Sequence, residues 1–470
     1  MKRKGKIVTL VLSTSLLSSL IFPYASAMTS TAEAVKPEYT DGTELFEKEF
    51  MLGAWAEPEL SDVRFQRFKD IGFNTMYLLN ETKYNTTRLL AYLDKCEDYG
   101  LNAIISIGMN RTDPISIKTQ KTSLANYPAF YGVHTVDEPL GDGSERKENE
   151  VKASEKTNGE SYNTIYDYMY AEYEYMRDTY PGRYTGAVIA IGRNNGDFGY
   201  AALPAYTTKV LSKMNVEDRT LEYDVYPLKI DKNNKPYLQT TWLWRSYQNA
   251  EVAKDYSVPK RTLYYQQEWN YRLREWIGVP ELLNQLYTGM CFGVNGLVAF
   301  KYDTYWKDFL KPDDFFMVSA WGESELCYYN EKAFEEIKKF DHIYLDFADN
   351  WQGVMKVRGT SANDNEEYRA AEADLQGKYV LQSYAGLKAV QATEDALVGV
   401  MKDKEGRDGY MITNQAFTLD KLSNTVKVSF NGGYTKAIVI LNGEETVVDL
   451  KDGGCEFTLL PGGGAFVIPY

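Results

Sequence analysis

Between residue 47 and about residue 345, short β-branched or aromatic runs alternate with longer segments whose apolar residues recur at helical spacing, the pattern of repeated βα units. Eight units are predicted. Their strands fall at Phe50 to Trp55, Phe73 to Leu79, Leu101 to Ile107, Phe130 to Val136, Gly186 to Ile191, Leu221 to Tyr226, Thr262 to Gln267 and Gly296 to Phe300. Ser61 is placed to cap a helix that ends near Ile71 and stops at Gly72. Leu89, Leu90, Leu93 and Cys96 share one face of a helix over Thr86 to Tyr99. Further helices are expected at Asn163 to Thr179, Leu203 to Met214, Tyr237 to Lys254, Glu281 to Phe292 behind Pro280, and Glu331 to about Phe340. Gly141 to Gly159 is polar and suits a mobile loop.

Eight βα units in about 300 residues fit a (β/α)8 TIM barrel better than an open doubly wound sheet. No glycine-rich phosphate fingerprint follows the first strand, which weakens a dinucleotide-binding fold further. Beyond residue 350 the pattern changes to short alternating strands broken by Asp-Gly and Gly-Gly turns. These strands are Ala396 to Met401, Gly409 to Asn414, Thr425 to Phe430, Ala437 to Leu441, Glu444 to Leu450 and Gly464 to Pro469. A C-terminal all-β sandwich is the expectation. The predicted organisation is a signal peptide over 1–27, a linker over 28–46, a barrel over 47–349 and a sandwich over 350–470.

The leader rests on Lys2, Arg3, Lys4 and Lys6, an apolar run from Ile7 to Phe22, and Ala25-Ser26-Ala27 at the cleavage site. Cleavage after Ala27 would release a secreted or cell-surface protein, and no other stretch is apolar enough to span a bilayer. Loss of those four cations would move the formal net charge from −14 to about −18, which makes nucleic acid an unfavourable partner. Cys96, Cys291, Cys327 and Cys455 are scattered without a pairing motif, and the only histidines are His134 and His342. A disulfide framework, a thiolate zinc site and a His-rich metal centre are therefore not signalled. Asp231 to Tyr237 resembles part of a calcium loop but lacks its glycine and its closing glutamate, so no metal is assigned.

What remains is carboxylate chemistry. Asp137-Glu138-Pro139 alone would suit a solvated turn, but it closes the fourth predicted strand, and barrel active sites lie at the carboxyl ends of strands. Cleavage of a glycosidic bond needs two carboxyl groups, an acid for the leaving oxygen and a nucleophile or base. Glu138 is the predicted acid/base, and Glu268, directly after the seventh strand and beside Trp269, is the predicted nucleophile. Glu57, Glu81 and Asp303 stand at other strand ends as substitutes. Aromatic side chains at strand ends, Trp55, Tyr226, Trp269, Tyr302, Tyr305 and Trp306, are candidates to stack on sugar rings. Asp224 and Tyr226 alternate on the sixth strand and could both face inward. His134 is expected to be a hydrogen-bonded barrel residue rather than a catalyst. The 14% aromatic content, with 38 tyrosines, suits amphipathic ligands such as sugars.

Tyr127-Pro128-Ala129-Phe130 leading into Asp137-Glu138-Pro139, with a glutamate near the end of strand seven, resembles the retaining (β/α)8 glycosidases of the clan that includes β-galactosidases, β-mannanases and cellulases. Members of that clan carry Asn-Glu-Pro at strand four, where the Asn binds a sugar hydroxyl; here Asp137 stands in that place, and its charge would raise the pKa of Glu138. A closer resemblance is to secreted bacterial proteins that join such a barrel to a β-sandwich. It rests on Asp137-Glu138-Pro139, Asp224-Val225-Tyr226-Pro227, Gln266-Gln267 and the closing Leu-Pro-Gly-Gly-Gly-Ala-Phe-Val-Ile-Pro. The resemblance implies a retaining glycoside hydrolase of poly- or oligosaccharides that needs no cofactor, with Asp137, Asp224, Tyr226 and Gln266 among its substrate contacts. The alternative is a glycan-binding protein that keeps the barrel without turnover.

Overall fold

The computed structural model describes residues 49–79, 86–107, 117–120, 124–139, 162–190, 202–233, 235–239, 241–258, 262–268, 277–302, 317–319, 322–361, 363, 365–416 and 422–470. The predicted leader and linker, the 141–159 loop, Glu81, Trp269, Asp303, Tyr305 and Trp306 lie outside these residues.

Strands β1 (Met51–Trp55), β2 (Thr75–Leu78), β3 (Asn102–Ser106), β4 (Phe130–Asp137), β5 (Tyr184–Ala190) and β6 (Leu221–Asp224) are followed by a hairpin of β7 (Leu228–Ile230) and β8 (Pro236–Leu238). Strands β9 (Thr262–Gln267) and β10 (Gly296–Phe300) then complete a closed, all-parallel barrel in the order β1-β10-β9-β6-β5-β4-β3-β2, and a short antiparallel pair, β11 (Val318–Ser319) and β12 (Gly322–Glu323), follows. The eight predicted barrel strands are thus present. The hairpin was not predicted, and Tyr237 and Leu238, expected to begin a helix, belong to it.

Around the barrel lie helices α1 (Asp62–Ile71), α2 (Thr86–Tyr99), α3 (Ile165–Thr179), α4 (Ala202–Lys209), α5 (Trp242–Asp255), α6 (Val279–Cys291) and α7 (Glu325–Lys338), followed by α8 (Asp341–Ala348). Phe65, Phe68 and Ile71 bury one stripe of α1, and Gly72 ends it at φ 112°, a left-handed conformation that disfavours a side chain. Ser61 occupies the N-cap position, but its side chain makes no cap hydrogen bond. Thr164 and Asp167 form a reciprocal capping box on α3. After β3 the described residues contain only a 3-10 turn, Ile117–Gln120, rather than an α-helix.

The C-terminal region is all-β apart from α9 (Glu366–Asp374). It comprises β13 (Trp351–Val357), β14 (Leu387–Ala392), β15 (Ala396–Lys402), β16 (Asp408–Asn414), β17 (Asn424–Phe430), β18 (Lys436–Leu441), β19 (Glu444–Asp449), β20 (Gly454–Leu459) and β21 (Gly464–Pro469). A six-stranded antiparallel sheet, β13-β15-β16-β21-β18-β19, faces a three-stranded one, β14-β17-β20. Alternation on β15 divides its side chains. Val398 and Val400 enter the sandwich core, whereas Leu397 and Met401 join the core shared with the barrel helices. That is why β15 and α6 are buried almost throughout. Asn284 Nδ2 donates to the Asn414 carbonyl at 2.8 Å and Trp351 Nε1 to the Cys291 carbonyl at 2.9 Å. Gly399 lies so close that a Cβ there would sit 2.4 Å from the Cys291 oxygen.

Candidate active site at the barrel mouth

Strand β4 delivers two carboxylates to the mouth because its pleat is interrupted. Its register shifts once against β3 and again against β5, between His134 and Asp137. Glu138 then adopts φ 44°, its N–H donating to the Val188 carbonyl at 3.2 Å, and Pro139 removes the next donor. Asp137 and Glu138 are half-buried there. On the other side of β5, β6 brings up Asp224, 7% exposed.

The Glu138 and Asp224 side chains are hydrogen-bonded to each other. Burial raises the Asp224 carboxyl above its ordinary value; the Glu138 hydrogen bond opposes the rise, the Asp137 charge adds to it, and the Arg245 guanidinium opposes it. Two carboxyl groups in contact favour a form in which one of them is protonated. Asp224 Oδ1 is buried and has no hydrogen-bond partner. A buried acceptor left open at a cleft is a place for a ligand hydroxyl.

The half-buried Tyr226 and Phe300 rings pack at 5.7 Å with a 42° tilt and form an aromatic wall of the mouth. Burial pushes the Tyr226 hydroxyl well up, and the charges of Asp224, Glu138 and Asp137 push it further, which places that ring beside all three carboxylates. Trp55, 3% exposed, forms floor rather than platform: its ring lies 5.2 Å from Tyr77, 5.6 Å from Tyr265 and 5.0 Å edge-on from His134.

One pleat below Asp224, the buried Glu222 accepts from Tyr265 Oη at 2.8 Å, from Tyr77 Oη at 3.3 Å and from Tyr184 Oη, with His134 Nδ1 at 3.4 Å. Gly186 makes room for this cluster, since a Cβ would lie 1.9 Å from Glu222 Oε1. Glu222 was missed from sequence although it shares the spacing of Asp224 and Tyr226. Arg245 and Lys229, which also act on this corner of the mouth, carry no motif that would have found them.

Three predicted site residues do not reach the mouth. Tyr264, Gln266 and Glu268 share the face of β9 that looks at the helices. Tyr264 Oη donates to Gln285 Oε1 on α6 at 3.0 Å, whereas Leu263 and Tyr265 point into the barrel. Glu268 is fully buried; Gln266 Nε2 donates to its Oε1 at 2.7 Å and Asn330 Nδ2 on α7 to its Oε2 at 2.8 Å. Desolvation raises its pKa to about 8, opposed by those two amides. Glu268 therefore does not face Glu138 as a nucleophile, and Gln266 serves Glu268 rather than a substrate. Tyr302 is buried against Phe68 and Phe73, at 5.0 and 5.9 Å, behind the barrel wall.

Glu57 holds a neighbouring loop, its Oε2 accepting from the Leu79 N–H at 2.7 Å. Asp231 Oδ1 accepts from the Asn233 and Lys235 N–H groups at 2.8 Å each, a local turn. Among the described residues no group of three or more His, Cys, Asp or Glu side chains is arranged to hold a metal, and no helix is long and apolar enough to cross a membrane.

No family model and no curated protein matches the chain. A catalytic mutant of a family 42 β-galactosidase from G. stearothermophilus aligns over 90% of this chain and 100% of its own, with 10% identity and a TM-score of 0.50. An endo-β-1,4-mannanase from Thermotoga petrophila aligns over 88% of this chain and 92% of its own, with 11% identity and a TM-score of 0.40. The likeness to the β-galactosidase is one of fold, and fold alone does not carry activity.

Proposed function

We propose that the chain is a glycoside hydrolase of poly- or oligosaccharides whose carboxyl pair is Glu138 and Asp224. The direct contact between these two side chains, at the carboxyl end of a closed parallel barrel and beside an aromatic wall, carries the reading. An inverting enzyme keeps its carboxyl groups roughly 6.5–9.5 Å apart to admit a water, and a retaining one about 5–5.5 Å. A touching pair favours retention. Glu138 passes its proton to the glycosidic oxygen as the bond to the anomeric carbon breaks and an Asp224 oxygen bonds to that carbon. Water, giving its proton to Glu138, then displaces Asp224. The open Oδ1 of Asp224 supports its place as the attacking group.

Screening the intact chain against aryl glycosides and polysaccharides tests this. Turnover should appear on some member of the panel, and Glu138→Gln should lower it by about 10²–10⁴-fold. Turnover unchanged in Glu138→Gln contradicts the assignment. The withdrawal of Glu268 from the mouth favours a second reading, a glycan-binding barrel without hydrolysis. In that case no substrate turns over and Glu138→Gln leaves saccharide binding nearly intact.

A further inference from the structure

Between β6 and α5, at the carboxyl end of the barrel, the β7–β8 hairpin is inserted where barrel proteins build their specificity. It follows directly on Asp224-Val225-Tyr226-Pro227, so it leaves the mouth beside the carboxyl pair. Its two faces differ. Leu228, Ile230 and Leu238 lie on one and pack into the main core. Lys229 and Tyr237, directly opposite each other in the register, lie on the other; Lys229 is half-buried and Tyr237 is 40% exposed.

That outer face continues the aromatic wall of the mouth. Phe300 and Tyr226 pack at 5.7 Å, and Lys229 Nζ lies 5.9 Å from the centre of the Tyr226 ring. Tyr237 is the cross-strand neighbour of Lys229, a pairing that sets Cβ atoms about 4.5–5.5 Å apart. The line Phe300, Tyr226, Lys229, Tyr237 thus runs from the barrel rim out along the hairpin. Lys229 turns its ammonium to Tyr226, and among the described residues no aromatic or cationic side chain lies against the Tyr237 ring. A large ring exposed at the end of such a strip suits the apolar C–H face of a sugar, with its hydroxyl in water.

The platform is held still. Gln267, at the end of β9, grips the hairpin in both directions: its Oε1 accepts from the Leu228 N–H and its Nε2 donates to the Leu228 carbonyl, each at 2.8 Å. The Gln239 N–H donates to the Pro227 carbonyl at 2.7 Å and the Asp231 N–H to the Lys235 carbonyl at 2.9 Å, which fixes the register on both sides of the Lys229–Tyr237 pair. The Asp231 carboxylate closes the turn through its two backbone donors. A ring on so ordered a support loses little freedom when a ligand binds.

We propose that Tyr237 on the β7–β8 hairpin forms an outer subsite, stacking on a sugar unit further along the glycan whose glycosidic bond is held by Glu138 and Asp224. This rests on the hydrolase reading above and narrows its substrate to saccharides long enough to reach from the carboxyl pair to the hairpin.

The test uses the full chain carrying Glu138→Gln, so that turnover does not consume the ligand. Calorimetry follows the binding of gluco-, galacto- and manno-oligosaccharides, each from disaccharide to hexasaccharide. In a series that binds, affinity should rise with length, the long members binding about 10-fold or more tightly than the short ones. Adding Tyr237→Ala should remove most of that ratio, while Tyr237→Phe keeps it, because the ring and not the hydroxyl stacks; unchanged melting temperatures show that the variants are folded. Affinity independent of length, a length ratio that survives Tyr237→Ala or is lost equally in Tyr237→Phe, or a loss equal at every length overturns the subsite and leaves the hydrolase reading standing. Failure of every saccharide both to bind and to be turned over by the parent chain overturns both.

Discussion

Glu138 and Glu268 both stand at the carboxyl end of a barrel strand, yet one reaches the mouth and the other is sealed behind the wall. Strand β9 keeps strict alternation, so Tyr264, Gln266 and Glu268 all face the helices, and Glu268 closes its hydrogen bonds on Gln266 and Asn330. Strand β4 breaks alternation by two register shifts and a left-handed Glu138, and its last two side chains turn toward Asp224. Position along a strand brings a carboxylate to the right height in a barrel; pleat parity decides whether it meets the cleft. The environments diverge accordingly. Glu138 shares a hydrogen bond with another carboxyl group, whereas Glu268 is bound by two neutral amides in a dry layer.

The largest effect that separates the two concerns catalysis. If Glu138 and Asp224 act as a unit, the double variant Glu138→Gln/Asp224→Asn should turn over little more slowly than either single variant, each reduced by about 10²–10⁴-fold. Multiplicative losses in steady-state kinetics would show that the two act independently.

The next effect is on stability and belongs to Glu268 alone. The unfolded chain releases this proton near the ordinary value of 4.5, whereas the folded chain holds it to about 8, so the folded state binds more protons across that window. Stability from this group therefore falls as pH rises from about 4.5 to about 8 and levels off on either side, a change on the order of a few kcal/mol. Thermal melts of Glu268→Gln should lack that decline and exceed the parent most clearly near pH 8. A parent whose stability is flat over this range would show that Glu268 is not held protonated.

A smaller effect isolates one of its two partners. Asn330→Ala removes the 2.8 Å donor to Glu268 Oε2 and should cost about 1–3 kcal/mol, more above pH 8, where the carboxylate needs it, than at pH 5. Denaturant titration at the two pH values measures the difference, and kcat should not follow it.

Much of this molecule was legible from residue pattern. The eight barrel strands were, because each is a compact apolar run between turn residues, and so was the change to a sandwich after residue 350. The strands β13, β14 and β20 were not. Trp351–Val357 is broken by Gln352-Gly353 and again by Lys356, Leu387–Ala392 buries only its two ends, and Gly454–Leu459 begins on turn residues. The β7–β8 hairpin is two three-residue strands, too short for periodicity. At the site, Glu138, Asp137, Asp224 and Tyr226 were legible as strand-end residues. The errors at Glu268 and Gln266 share one cause: a run of buried residues such as β9 has no polar face to reveal which side looks inward. Tyr302 instead departs from alternation, leaving the inward row of Val298 and Phe300 for the outer core. Glu222 escaped because a carboxylate satisfied by three tyrosine hydroxyls inside a barrel has no local sequence pattern.

A comparison of kcat for Asp224→Asn and Glu268→Gln on one substrate, with both variants shown to be folded, separates the carboxylate at the mouth from the one behind the wall. Asp224→Asn should lose about 10²-fold or more, and Glu268→Gln should stay within about 3-fold of the parent. The reverse, a large loss at Glu268 and a small one at Asp224, would contradict the assignment of Asp224 to the carboxyl pair.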